Sequence, residues 1–91
     1  MPLERSQVEQ IVKKFGNSLK KHGIRPERII LFGSYAKNIA SDYSDIDLIV
    51  VSNDFSGLSL VSRCTIMGKA IAEIMEPIEP HAYTPGELEE L

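Results

Sequence analysis

The sequence predicts an α/β domain, a small sheet of about three strands with helices packed mainly on one face. Two short apolar runs, 29–32 and 48–51, flank a polar stretch that holds Gly33, Ser34, Asp45 and Asp47. Segments before and after them, near 8–19 and 60–75, carry apolar residues at helical spacing. A chain of 91 residues buries only somewhat over roughly 60% of its unfolded surface, so three strands and their covering helices are the ceiling. One domain over 1–91 is expected.

Taken in order, Ser6-x-x-Glu9 reads as a capping box, and Val8, Ile11, Val12, Phe15 and Leu19 form one stripe of an amphipathic helix. Lys20, Lys21 and His22 suit the negative end of its dipole, and Gly23 marks the stop. His22 is thereby a helix-end residue rather than a ligand. Arg25-Pro26-Glu27 is a connector, because proline biases its predecessor away from helix. The aliphatic run 28–32 is then a strand ended by Gly33, followed by a short helical piece over 34–38 and a turn rich in Ser and Asp over 39–44. Asp45-Ile46-Asp47 opens the second strand, which continues through Leu48, Ile49, Val50 and Val51.

Residues 52–57 read as a loop, and Leu60, Cys64, Met67, Ile71, Ile74 and Met75 as the apolar stripe of a second long helix that covers the sheet. On that stripe Cys64 is a small buried hydrophobe, whereas Arg63 falls off it and reads as a solvated helix arginine. Residues 77–83 predict a short strand whose prolines, Pro77 and Pro80, allow an edge position or a strand end but argue against a central strand. Thr84-x-x-Glu87 is a capping box with Pro85 at the first helical position, and it starts a last helix carrying Leu88 and Leu91.

Composition narrows the function. Net charge is −3, and there is no concentrated Lys/Arg run beyond pairs such as Lys20-Lys21, so stable nucleic-acid binding is not expected and the substrate is small or a protein. The single cysteine cannot form an internal disulfide, no window is long enough to span a membrane, and no leader precedes the fold, which makes the cytoplasm the expected compartment.

The chemistry concentrates at two places. In Asp45-Ile46-Asp47 the period of two puts both carboxylates on one side of the strand and Ile46 in the core. Like charges so close repel, and either one carboxylate keeps its proton or a hard divalent cation neutralises both. Backbone N–H groups at the Gly33-Ser34 turn, opening into a helix, make an anion site. The segment pairs a phosphate cradle with a divalent-metal site.

Phe32-Gly33-Ser34-Tyr35-Ala36-Lys37-Asn38, followed by Ser41-Asp42-Tyr43-Ser44-Asp45-Ile46-Asp47-Leu48-Ile49-Val50, resembles the signature of the DNA polymerase beta-like nucleotidyltransferase superfamily, and within it the minimal nucleotidyltransferases of prokaryotes. The resemblance implies that family's small mixed sheet and the transfer of AMP from ATP to a hydroxyl. It places two Mg2+ ions on Asp45 and Asp47, the β and γ phosphates on Gly33 and Ser34, and Lys37 as an added cation. Glu79 takes the position of a third carboxylate, where Asp is usual, as metal ligand, as base or as neither. Members commonly carry arginine at Tyr35 and glycine at Asn38. The resemblance further implies an antitoxin whose partner is a helical HEPN-family toxin, in a homo- or hetero-oligomer. Two alternatives stay open: a catalytically degenerate module that neutralises its partner by binding, and a transferase acting on a small hydroxylated molecule.

Overall fold

The computed structural model describes residues 2–91. Its elements are α1 (Arg5–Lys21), β1 (Arg28–Phe32), α2 (Gly33–Ala36), β2 (Ile46–Val51), α3 (Leu60–Ile74), β3 (Ile78–Tyr83) and α4 (Pro85–Glu89). The sheet is mixed, in the order β1-β2-β3: β1 runs antiparallel to β2, and β3 parallel to it. Proline-containing β3 takes an edge, one of the two places its prolines allow, and the strand runs through Pro80 without a break.

Alternation along β2 divides the sheet into two unlike faces. Ile46, Leu48 and Val50 are fully buried against Val8, Ile11, Phe15 and Leu19 of α1 and Met67, Ala70 and Ile74 of α3. Phe15 alone, with no exposed surface, is worth on the order of 3–5 kcal/mol if truncated to Ala. The opposite face carries Asp47 and Ile49 from β2, Phe32 and Ile30 from β1, and Glu79 and His81 from β3, none of which belongs to the helix-lined core among the described residues.

Four local details differ from the sequence reading. Helix α1 starts two residues earlier than Ser6 predicts: Glu4 is its N-cap, and the Glu4 N–H donates to Gln7 Oε1 at 2.8 Å. Glu9, spared that role, pairs instead with Arg5 one turn back at 3.4 Å. At the other end Gly23 N–H and Ile24 N–H donate to the Lys20 and Leu19 carbonyls, a Schellman stop that buries Ile24. His22 is the C-cap, with Nε2 2.7 Å from Glu73 Oε1, and Ser18 Oγ donates to Glu73 Oε2 at 2.7 Å. These bonds lower the Glu73 pKa, Ser18 more than His22, and lock α1 onto α3.

Helix α3 is rotated relative to the expected stripe. Its buried residues are Met67, Ala70 and Ile74, while Cys64, Leu60 and Met75 are exposed. A helix that crosses a twisted sheet buries only the stripe under its crossing point, so its first turn runs off the core. Arg63 is the other correction. Its side chain is only 11% exposed, lies 5.7 Å from the centre of the Phe55 ring, and donates from Nε to the Leu58 carbonyl at 3.1 Å. Its two terminal nitrogens grip Glu87 at 2.6 and 3.0 Å, which fastens α4 to α3. Phe55 itself, from a stretch read as loop, is fully buried on a short 3-10 turn over Asn53–Phe55.

The Arg63 guanidinium, with the Thr84 backbone bond next in weight, holds the Glu87 carboxyl down from 4.5 to about 2. A carboxyl whose pKa is depressed by folding stabilises the fold fully above its ordinary pKa and loses that contribution as pH falls through the folded one. The stability difference between wild type and Glu87→Gln is therefore expected to be constant above about pH 4.5 and to shrink toward pH 2. Urea titrations of both proteins across that range check it, and a difference independent of pH would contradict it. Among the described residues no helix is long and apolar enough to cross a membrane.

Candidate active site

Strand pairing brings together acids that the sequence places in two segments more than thirty residues apart. Asp47 on β2 lies directly opposite Phe32 on β1 and directly opposite Glu79 on β3. Residues paired in this way share a face, and neighbouring strands stand roughly 4.8 Å apart. Asp47 and Glu79 are thus side by side on the open face, at the end of the sheet where β1 gives way to α2. Asp45 directly precedes β2, two residues before Asp47, and is exposed.

Gly33 explains why the turn and the acids come as a unit. Its φ is +73°, and a Cβ built on it would overlap Asp47 Oδ2 and stand 3.0 Å from Asp47 Cγ and 3.2 Å from Asp47 Cβ. Only glycine lets the backbone adopt this turn and lets the Asp47 carboxylate lie against it. The sequence marks Gly33 as part of an anion turn; the structure adds that it is the seat of an acid.

Gly33 and Ser34 are the first residues of α2 and are half-buried; Lys37 caps its end, exposed, with its N–H donating to the Gly33 carbonyl at 3.1 Å. The helical piece stops at Ala36 rather than at 38, because Asn38 takes a left-handed conformation, φ 60°. Asparagine tolerates that region, so a position where glycine is usual keeps its backbone shape here. Tyr35 points elsewhere: its hydroxyl accepts the Leu3 N–H at 3.2 Å, and its ring packs against the core. The position where arginine is usual thus supports α1 rather than the acids.

Two residues beyond Glu79, His81 shares its face and is exposed. Its ring contacts Phe32 across β2, with centroids 5.6 Å apart and planes inclined by 55°. Phe32 is the site residue that sequence reasoning passed over. Its signal was its place immediately before Gly33, which an apolar run disguises as core.

Hard oxygen donors suit a magnesium ion, which keeps few protein carboxylates and completes its shell from substrate phosphates and water. Asp45, Asp47 and Glu79 offer that kind of donor set. Among the described residues no cluster of three or more His, Cys, Asp or Glu side chains is by itself close enough to hold a metal. Two cavities, of about 700 and 630 Å3, lie beside the N-terminal half of α1 and between α3, β3 and α4, and neither is lined by Asp45 or Asp47. Asp45 and Glu79 are exposed and Asp47 is half-buried.

Known proteins resemble this chain. Two chains of Methanocaldococcus jannaschii, both provisionally named protein adenylyltransferases, are 42% identical over 59 residues and 40% identical over 47 residues. The first match covers 63% of this chain and 57% of the relative, and the second covers 52% and 27%. The chain thus spans little more than half of one relative and about a quarter of the other. A crystal structure from Sulfolobus solfataricus, described as a nucleotidyltransferase, superposes over the whole chain and 85% of its own length with a TM-score of 0.62 at 18% identity, and so shares the fold. The nucleotidyltransferase domain profile matches residues 8–89, which include both strands of the acidic row and the Gly33-Ser34 turn, and this chain belongs to that family.

Proposed function

We propose that this nucleotidyltransferase transfers AMP from ATP to a hydroxyl group on a partner protein, acting as a single domain over 1–91. The row Phe32-Asp47-Glu79, seated against the Gly33 turn on the sheet face opposite the core, is the observation that carries the reading. The names of the M. jannaschii relatives support a protein acceptor.

In this reading the Gly33 N–H and the Ser34 N–H and hydroxyl hold the β and γ phosphates, with Lys37 as an added cation. Asp45 and Asp47, joined by Glu79, are the residues that would hold two Mg2+ ions, which when bound neutralise the triphosphate and activate the attacking oxygen. The acceptor oxygen forms a bond to the α-phosphorus, the bond to the β-phosphate oxygen breaks, and pyrophosphate leaves. Glu79, on the strand farthest from the phosphate turn, faces the acceptor and takes the hydroxyl proton. The partner we propose is a HEPN-family toxin and the role that of its antitoxin, as the resemblance in Phe32 to Val50 implies; the setting is cytoplasmic.

A second reading has its own support. Tyr35 spends its polar atom on Leu3, which leaves the turn without the cation usual there, so a module that binds its partner without chemistry is favoured by that one contact. Incubation of the purified chain and its co-expressed neighbour with magnesium and ATP labelled on the α-phosphate separates the two. Label on the neighbour, lost without magnesium, is expected. Titration that shows ATP binding with no label on any partner would leave the binding module standing, and no ATP binding at all would remove the nucleotide site.

A further inference from the structure

We propose that Phe32 and His81 form the shelf on which the nucleobase of the bound nucleotide stacks, a role that rests on the nucleotide-site reading above. The pair is built by the fold: Phe32 stands in the carboxylate row, His81 one row further into the sheet on the opposite edge strand, and their rings meet over β2. A centroid separation of 5.6 Å with inclined planes is an ordinary aromatic contact, so each ring fixes the other. His81 is exposed and Phe32 half-buried, so the pair keeps a surface open to solvent.

Position decides what that surface takes. Phe32 is bonded directly to Gly33, so the shelf and the phosphate turn share one backbone. His81 lies roughly 7 Å along β3 from Glu79, at the rise of an extended strand. A nucleoside triphosphate combines an anion with a planar ring a sugar's length away, and among the described residues Ile30 and Ile49 on this face stay outside the helix-packed core. Stacking is tolerant of base identity because every base has a π face, so the shelf supplies affinity more than base choice.

The test is calorimetric titration of Mg-ATP and of Mg-tripolyphosphate, which has no base, into wild type, His81→Ala and His81→Phe. Loss of one stacking partner is expected to weaken Mg-ATP about ten-fold in His81→Ala, with affinity restored in His81→Phe and tripolyphosphate bound equally by all three. Unchanged ATP affinity in His81→Ala would overturn the shelf, even if transfer to a protein acceptor slowed, because the rings would then serve the acceptor. Equal weakening of tripolyphosphate would overturn it too, since the effect would run through the phosphates. If wild type binds neither compound, the nucleotide-site reading fails and the shelf with it; if wild type binds both equally, only the shelf fails.

Discussion

Asp47→Asn is expected to lower AMP transfer by about a thousand-fold or more while the protein melts as wild type does. The amide has the shape of the carboxylate, so it still lies against Gly33, where the backbone makes room for it. It removes one negative charge from a row that also contains Glu79 and borders Asp45, and the fold gains nothing from that charge. What is lost is the hard anionic oxygen at the centre of the row. Asp45→Asn should act in the same direction, from the exposed end of the strand. Pyrophosphate release and a thermal melt, measured on the same preparations, check both halves; wild-type turnover in the Asp47 variant would dismiss the row as the reacting centre.

Gly33→Ala has the largest combined effect. A left-handed φ costs a residue with a Cβ roughly 1–2 kcal/mol, and here the new methyl also collides with Asp47. Total destabilisation of about 2 kcal/mol or more is expected, which for a domain of this size lowers the melting temperature by roughly 10 °C. The surviving folded protein should be inactive, since relief of the collision moves Asp47. Gly57→Ala is the matched control. Its φ is +78° but nothing lies within 4 Å of the added Cβ, so it should lose stability and keep its turnover. Equal activity in the two variants would mean that the Gly33 contact does not position the acid.

The elements that sequence reading located best are those in which local chemistry and burial agree. Strand β1 over 28–32, the Gly23 stop, the Thr84-Pro85 start and the edge position of β3 each rest on a residue whose backbone has few choices. The misplacements share a different cause. Cys64 and Arg63 are adjacent, and periodicity alone put Cys64 inside and Arg63 outside. Periodicity gives the width of a helical stripe but not its rotation against a sheet, and a guanidinium with an acid, a carbonyl and a ring beside it can turn inward. Similarly, Ser6 and Glu9 fit the capping pattern better than Glu4 and Gln7 do, yet the helix starts at the earlier pair, just after Leu3 is tied to Tyr35.

The sequence by itself determined the fold class, the two aspartates one residue apart and the Gly-Ser turn ahead of them, because these depend on spacing along one strand and on backbone freedom at one glycine. Only the tertiary structure decided that Glu79 stands beside Asp47, that Asp47 rests on Gly33 and that His81 meets Phe32. Those contacts join residues on different strands, and their register is set by which apolar residues fill the core beneath them. A shift of β3 by one residue would turn Glu79 to the helix side and Ile78 to solvent, so burial of Ile78 against Ile46 is what delivers the third acid to the open face.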